Sequence, residues 1–262
     1  MPVPLRDDVS GNFSRLLKSK GKTEEAEKVE QKQEEYERFN PGGPKAIARD
    51  AWRDAYTKGR DASRSNNYAK SDEYFAAAFK NVALYEKSGE DALQTLFEWS
   101  RTKQRMNDPA AADALLKQAE AMALKLGGPR STQYDNYLQS KARVLKLQHK
   151  YDELETLLNQ KLTLREELRG KDNFHVGETL IDRAACRVHL NRLPDAEADM
   201  KRAITIFKQT PQRNFKELKE AYDELISLLE KTGDAEDVRK YKFERAVLRR
   251  DIIKWDAEKH SN

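Results

Sequence analysis

The sequence predicts an all-α chain of antiparallel helix hairpins stacked in register, and three observations carry that expectation. Of the 262 residues, 36% are charged and 38% hydrophobic, against about 25% charged in an average domain, which favours thin layers of amphipathic helices over a thick core. Glycine (11) and proline (8) are too scarce for a disordered chain, and the strong helix formers Ala, Leu, Glu, Lys and Arg dominate. The third observation is a recurrence. A polar or glycine turn followed by a small residue that opens a helix begins at Gly21, Asn66, Asn107, His149, Asn191 and Gly233. It ends at Ala26, Ser71, Ala112, Leu154, Ala196 and Val238, spaced by 45, 41, 42, 42 and 42 residues. So steady a register marks a repeat, not a set of unrelated helices.

Residues 1–40 read as an incomplete first repeat, an N-terminal capping hairpin. Thr23 to Arg38 is highly charged, with Ala26, Val29 and Tyr36 as its sparse apolar markers, short of the three or four heptads a dimerising coiled coil requires. Across the break Pro41-Gly42-Gly43-Pro44, residues 45–262 read as a five-repeat array. Its first helices are expected at about 46–64, 91–106, 131–148, 175–190 and 214–231, and its second helices at about 69–87, 109–126, 150–168, 194–209 and 234–257. Ser88-Gly89, Gly127-Gly128-Pro129, Gly170 and Pro211 separate the hairpins.

Four residues past the small position stand Phe75, Leu116, Leu158 and Met200, and seven past it Ala78, Ala119, Lys161 and Ala203. That is the i, i+4, i+7 stripe of a buried helix face. Twelve residues before it lie Gly59, Ser100, Ala142, Ala184 and Ile226, mostly small, which lets paired helix axes approach closely. In the last unit Ile226, Val238, Lys242 and Arg245 leave the columns, as a terminal repeat facing water does. Trp52, Trp99 and Trp255 are expected in hairpin packing.

These columns resemble the tetratricopeptide repeat, with small residues at its eighth and twentieth positions, an aromatic or aliphatic at the twenty-fourth and Ala at the twenty-seventh. The 42-residue period resembles the kinesin-light-chain type, and Arg165 to Val176 is similar to the linker of that type. Leu16 to Glu27 resembles the last unit of a bacterial array, which implies a bacterial source. The resemblance implies a right-handed superhelical solenoid used for protein binding, whose concave face is lined by positions 2, 5, 6, 9, 12 and 13 of each first helix. On that count the second repeat presents Arg53, Tyr56, Thr57, Arg60, Ser63 and Arg64, and the third Gln94, Phe97, Glu98, Arg101, Gln104 and Arg105. The fourth presents Asn136, Gln139, Ser140, Arg143, Lys146 and Leu147. Acidic residues dominate the next two, including Glu178, Asp182, Glu220, Asp223 and Glu224.

The expected peptide-binding residues are therefore Arg53, Tyr56, Arg60, Arg64, Phe97, Arg101, Arg105, Gln139, Arg143 and Lys146. Arg60, Arg101 and Arg143 share the ninth position, so a solenoid would stack them as a ladder about 10 Å apart. Guanidinium groups bind carboxylate or phosphate through two hydrogen bonds, where lysine offers a point charge. Tyr56 and Phe97 beside the ladder suit an apolar side chain or a stacked guanidinium. The competing reading pairs the arginines internally with Glu98, Asp182 and other acids in weak surface bridges. The fifth and sixth positions nowhere carry Asn, so neither the cargo recognition of kinesin light chains nor the chaperone carboxylate clamp transfers to this chain.

Chemistry of other kinds finds little support. His149, His175, His189 and His260 form no i, i+4 metal pair, and there is no phosphate-binding glycine loop. Cys186 and His189 lie three residues apart with Asp182 nearby, a weak nucleophile arrangement against the plainer reading of a packed thiol. A single cysteine excludes an intramolecular disulfide, and Arg6, Asp7 and Asp8 occupy the place of a signal sequence's apolar run. The expectation is a cytoplasmic, non-enzymatic adaptor without cofactor or membrane contact, binding an acidic or phosphorylated peptide segment. A peptide-sensing regulator is the alternative. Nucleic-acid binding is least supported, because 49 basic residues against 45 acidic leave only +4. Partner identity and oligomeric state are not encoded in any motif.

Overall fold

The computed structural model describes residues 6–39, 43–85, 89–211, 214–233 and 235–259. Among them are twelve helices: α1 (Arg6–Ser19), α2 (Thr23–Phe39), α3 (Pro44–Arg64), α4 (Tyr68–Tyr85), α5 (Glu90–Arg105), α6 (Pro109–Gly127), α7 (Thr132–Leu147), α8 (Tyr151–Arg169), α9 (Phe174–His189), α10 (Leu193–Phe207), α11 (Phe215–Thr232) and α12 (Ala235–Lys259). From α3 onward every bound falls within two residues of its expected place. The chain divides into two compact units, Met1–Met122 and Ala123–Asn262.

One turn joins the two helices of every hairpin. Gly21, Asn66, Asn107, His149, Asn191 and Gly233 all have φ between 56° and 84°, the left-handed region that closes a helix C-terminus. After the first five, the next N–H reaches back to the carbonyl five residues earlier: Lys22 to Leu17 (3.0 Å), Asn67 to Ala62 (2.8 Å), Asp108 to Lys103 (2.9 Å), Lys150 to Leu145 (3.0 Å) and Arg192 to Arg187 (2.8 Å). Glycine and asparagine tolerate this conformation best. The first residue of the sequence motif is thus the one that reverses the chain.

In the first unit, α1 and α2 pack as a hairpin. Ser14 Oγ donates to Glu30 Oε1 at 2.6 Å, and Ala26 is fully buried between them. The small columns lie in the core as expected: Ser71, Ala112, Phe75, Leu116, Ala78 and Ala119 are all inaccessible to solvent. The Ser71 hydroxyl donates to the Gly59 carbonyl at 2.9 Å, tying α4 to α3. Trp52 Nε1 donates to Thr95 Oγ1 (3.0 Å) and Trp99 Nε1 to Asp72 Oδ1 (2.5 Å), so both indoles stitch neighbouring helices together. The Trp255 side chain lies outside the described residues.

The second unit is built around Val176, Leu180, Ala184, Ala196, Met200, Ala203 and Phe207 with the inner face of α11, and a smaller cluster of Ala142, Leu145, Leu154, Leu158 and Cys186. Two charged side chains stand within its apolar packing. Lys161 stands fully buried in the alanine column. One turn on, buried Arg165 binds Asp135 on α7 at 2.7 Å, the His175 carbonyl on α9 at 2.9 Å and Gln139 Oε1 at 3.1 Å, so its guanidinium locks three helices together. Among the described residues no helix is long and apolar enough to cross a membrane.

Candidate functional site

The expected groove residues gather at two places, one in each unit. In the first unit, α3 and α5 run beside one another and their C-terminal halves enclose a recess of about 330 Å³ lined by Arg60, Ser63, Arg64, Asn66, Glu98, Arg101 and Arg105. Helical periodicity explains the convergence. Arg60, Ser63 and Arg64 are one turn apart on one face of α3, as are Glu98, Arg101 and Arg105 on α5. Four guanidinium groups therefore share one concavity with a single carboxylate.

Two of the four are already engaged. Arg101 Nη1 lies 3.2 Å from Glu98, and Arg64 Nη1 lies 3.3 Å from Asp61, which is outside the recess. These are exposed i, i+3 pairs, of the kind that contributes under about 1 kcal/mol and exchanges readily for a better anion. Arg60 and Arg105 make no ion pair among the described residues. Arg60 instead lies over the Tyr56 ring, 5.9 Å from its centroid, in a cation–π contact that orients the fork without neutralising it.

Tyr56 itself is 7% exposed. Its ring stacks on Trp52 at 5.4 Å and meets Phe75 edge-on at 5.8 Å, so it supports the recess from within the core. Burial, reinforced by Glu98, raises its hydroxyl above the ordinary range. Asn66 accepts the Tyr68 hydroxyl at 2.6 Å through Oδ1, which leaves its amide N–H groups as donors. Of the other expected residues in this unit, Arg53 pairs with Asp50 at 3.4 Å and Phe97 is half-buried; neither lines the recess.

In the second unit, Gln139, Arg143 and Lys146 line one wall of a slot of about 240 Å³ between α7 and α9. Leu154, Leu158 and Ala142 form its apolar floor, and Asp182 and His189 face it from α9. Gln139 is already held by Arg165. Asp182 lies beside Lys161, with Nζ at 3.6 Å. That distance exceeds a hydrogen bond, and among the described residues Lys161 Nζ has no hydrogen-bond partner. Burial pulls its pKa down to about 8.

Cys186 also borders this slot, yet it is 2% exposed and its thiol lies 3.1 Å from the Tyr151 carbonyl. Burial, with Glu155 and Asp152 nearby, pushes the thiol up to about 11, so the reactive thiolate is scarce at neutral pH. His189 stacks on Tyr151, with centroids 4.2 Å apart and ring planes 10° from parallel, and has no hydrogen bond to Cys186. The thiol is a packing group.

Asn66, which the sequence marks only as a turn residue, also lines the recess. Its signal was present in the recurring left-handed position that follows each first helix. Lys161 occupies the alanine column of the buried stripe, so its burial is legible in the sequence, whereas the Arg165 network, built with side chains distant in sequence, leaves no comparable signal.

No protein-family model matches the sequence, and no curated protein matches it. Solved structures do match in fold. BtubC (BKLC) from P. vanneervenii superposes with a TM-score of 0.69 at 13% identity, over 84% of this chain and 87% of that one. A Podosopora anserina kinesin light chain of nearly identical TPR-like repeats gives 0.64 at 14% identity, over 75% of this chain and 94% of that one. Aspartyl phosphate phosphatase F from Bacillus subtilis gives 0.67 at 15% identity, over 82% of this chain and 54% of that one. The chain has the all-α fold of TPR-like repeat proteins, a solenoid of antiparallel helix hairpins.

Proposed function

We propose that this chain is a non-enzymatic scaffold that binds a partner protein through an anionic peptide segment, acidic or phosphorylated. In this reading residues 1–40 cap an array formed by residues 45–262, and the protein works in the cytoplasm. The observation that carries the reading is the recess between α3 and α5, where four guanidinium groups meet one carboxylate and two of the four make no ion pair among the described residues. A concave site with that imbalance attracts anions from solution and holds them through planar forks. Within the second unit, Arg143 and Lys146 line a slot of their own, whose apolar floor suits a ligand side chain.

The test replaces Arg60, Arg101 and Arg143 together by Ala and compares the variant with wild type in affinity capture and in titrations with acidic peptides. Binding is expected to disappear while helicity and the unfolding midpoint stay nearly unchanged, since all three side chains are exposed. Undiminished affinity rejects these arginines as the site. One comparison favours a second reading. A Rap protein of similar fold, with a TM-score of 0.59, is solved in complex with Competence and Sporulation Factor, so a peptide-sensing regulatory module is the alternative reading.

A further inference from the structure

We infer that the recess between α3 and α5 is a receptor for one phosphomonoester group carried on a peptide side chain; this deepens the scaffold reading and rests on it. The argument is a match of charge and donor geometry. Arg64 and Arg101 already pair with Asp61 and Glu98, whereas Arg60 and Arg105 make no ion pair among the described residues. A ligand that completes the recess must therefore supply nearly two negative charges in one place. An Asp or Glu side chain brings one. A phosphomonoester brings about −1.5 to −2 at neutral pH, with three acceptor oxygens on a single centre.

Those oxygens find matching donors. Each guanidinium offers a planar fork, Arg60 is already oriented by the Tyr56 ring beneath it, and Ser63 and Asn66 add a hydroxyl and an amide at the edge. A polynucleotide fits less well. Its phosphodiesters carry one charge each and need a cationic track. Along the rest of α3, Arg53 and Lys58 are already paired with Asp50 and Asp54, and these exposed acids interrupt a continuous track.

The test uses the full chain and four probes: N-acetyl-phosphoserine N-methylamide, N-acetyl-glutamate N-methylamide, a glutamate-rich peptide and a ten-residue oligothymidylate. Binding is followed through the arginine Nε–Hε signals by NMR. The phosphoserine compound is expected to shift the Arg60 and Arg105 signals and to bind at least about tenfold more tightly than the glutamate compound. Its affinity should fall as pH drops from 7.5 to 5.5, because the second phosphate ionisation lies near pH 6. Arg60→Gln with Arg105→Gln should abolish that preference with helicity intact, while Arg49→Gln, elsewhere on α3, should leave it in place.

Equal affinity for the phosphoserine and glutamate compounds overturns the inference, as does tight phosphoserine binding by the double variant. Tighter binding of the oligothymidylate at the same arginines overturns it in favour of a nucleic-acid site. If the glutamate-rich peptide still binds and is lost on replacing Arg60, Arg101 and Arg143, the scaffold reading stands without phosphate specificity. If none of the peptidic probes binds, both readings fall.

Discussion

At His149 the chain holds φ at 56°, a conformation in which an L side chain crowds the following carbonyl at a cost of roughly 1–2 kcal/mol. The equivalent turns use glycine or asparagine. His149→Gly is therefore expected to stabilise the second unit by about 1 kcal/mol in urea unfolding; an unchanged or lowered midpoint would show that the contact of His149 Nδ1 with the Tyr151 hydroxyl, at 3.2 Å, outweighs the backbone strain. Gly177 presents the opposite case. A Cβ built there would lie 2.5 Å from Cε1 of Phe207, so Gly177→Ala should destabilise by about 1–3 kcal/mol through overpacking. Combined with Phe207→Leu, which withdraws the ring, the loss should be smaller than the two single losses added together, and simple additivity in that cycle would place the strain elsewhere.

Helix α8 carries two buried cations one turn apart with opposite energetics. Arg165 spends its donors on Asp135, Gln139, Thr179 and a backbone carbonyl, the satisfied state in which a buried charge can be retained. Lys161 Nζ has no hydrogen-bond partner among the described residues, with Asp182 at 3.6 Å. Its folded-state pKa of about 8 lies below the ordinary 10.5, which corresponds to a penalty of about 3 kcal/mol. Below pH 8 the group is charged in both states and the penalty is complete. Between about pH 8 and 10.5 the unfolded chain binds more protons than the folded one, so stability rises with pH across that window. Lys161→Met, similar in volume and uncharged, should thus be more stable than wild type by about 2–3 kcal/mol at pH 7, with the gap closing toward pH 10.5. A gap independent of pH would mean that the ammonium is solvated in the folded protein.

For the whole chain the net charge of +4 conceals strong local imbalance. Much of the second unit's basic charge is spent internally, as where Arg183 and Arg187 clamp Asp199 and where Arg187 and Arg192 clamp Glu155. The first-unit recess keeps a surplus. Binding an acidic peptide there should weaken with salt as expected for one or two ion contacts, whereas a nucleic acid neutralising six or more phosphates would lose roughly a thousandfold or more between 50 and 200 mM salt. Titration at those two salt concentrations separates the cases, and a steep log-linear loss would favour the nucleic-acid reading.

Much of this was legible without coordinates. A recurrence near 42 residues, small residues at Ser71, Ala112 and Ala196, and the stripe from Phe75 to Ala78 were enough to determine the helices, their pairing and their buried faces, because those depend on local periodicity and on which side chains permit close axes. The same arithmetic placed Arg60, Arg64, Arg101 and Arg105 on the same face of successive first helices. What only tertiary structure decided was which charges remain unspent. Whether Arg60 meets a carboxylate or an aromatic face, whether Gln139 is open or held by Arg165, and whether Lys161 finds any acceptor are set by side chains distant in sequence. Electrostatic interactions fall off with separation and screening in three dimensions, and that separation is not a property of sequence spacing.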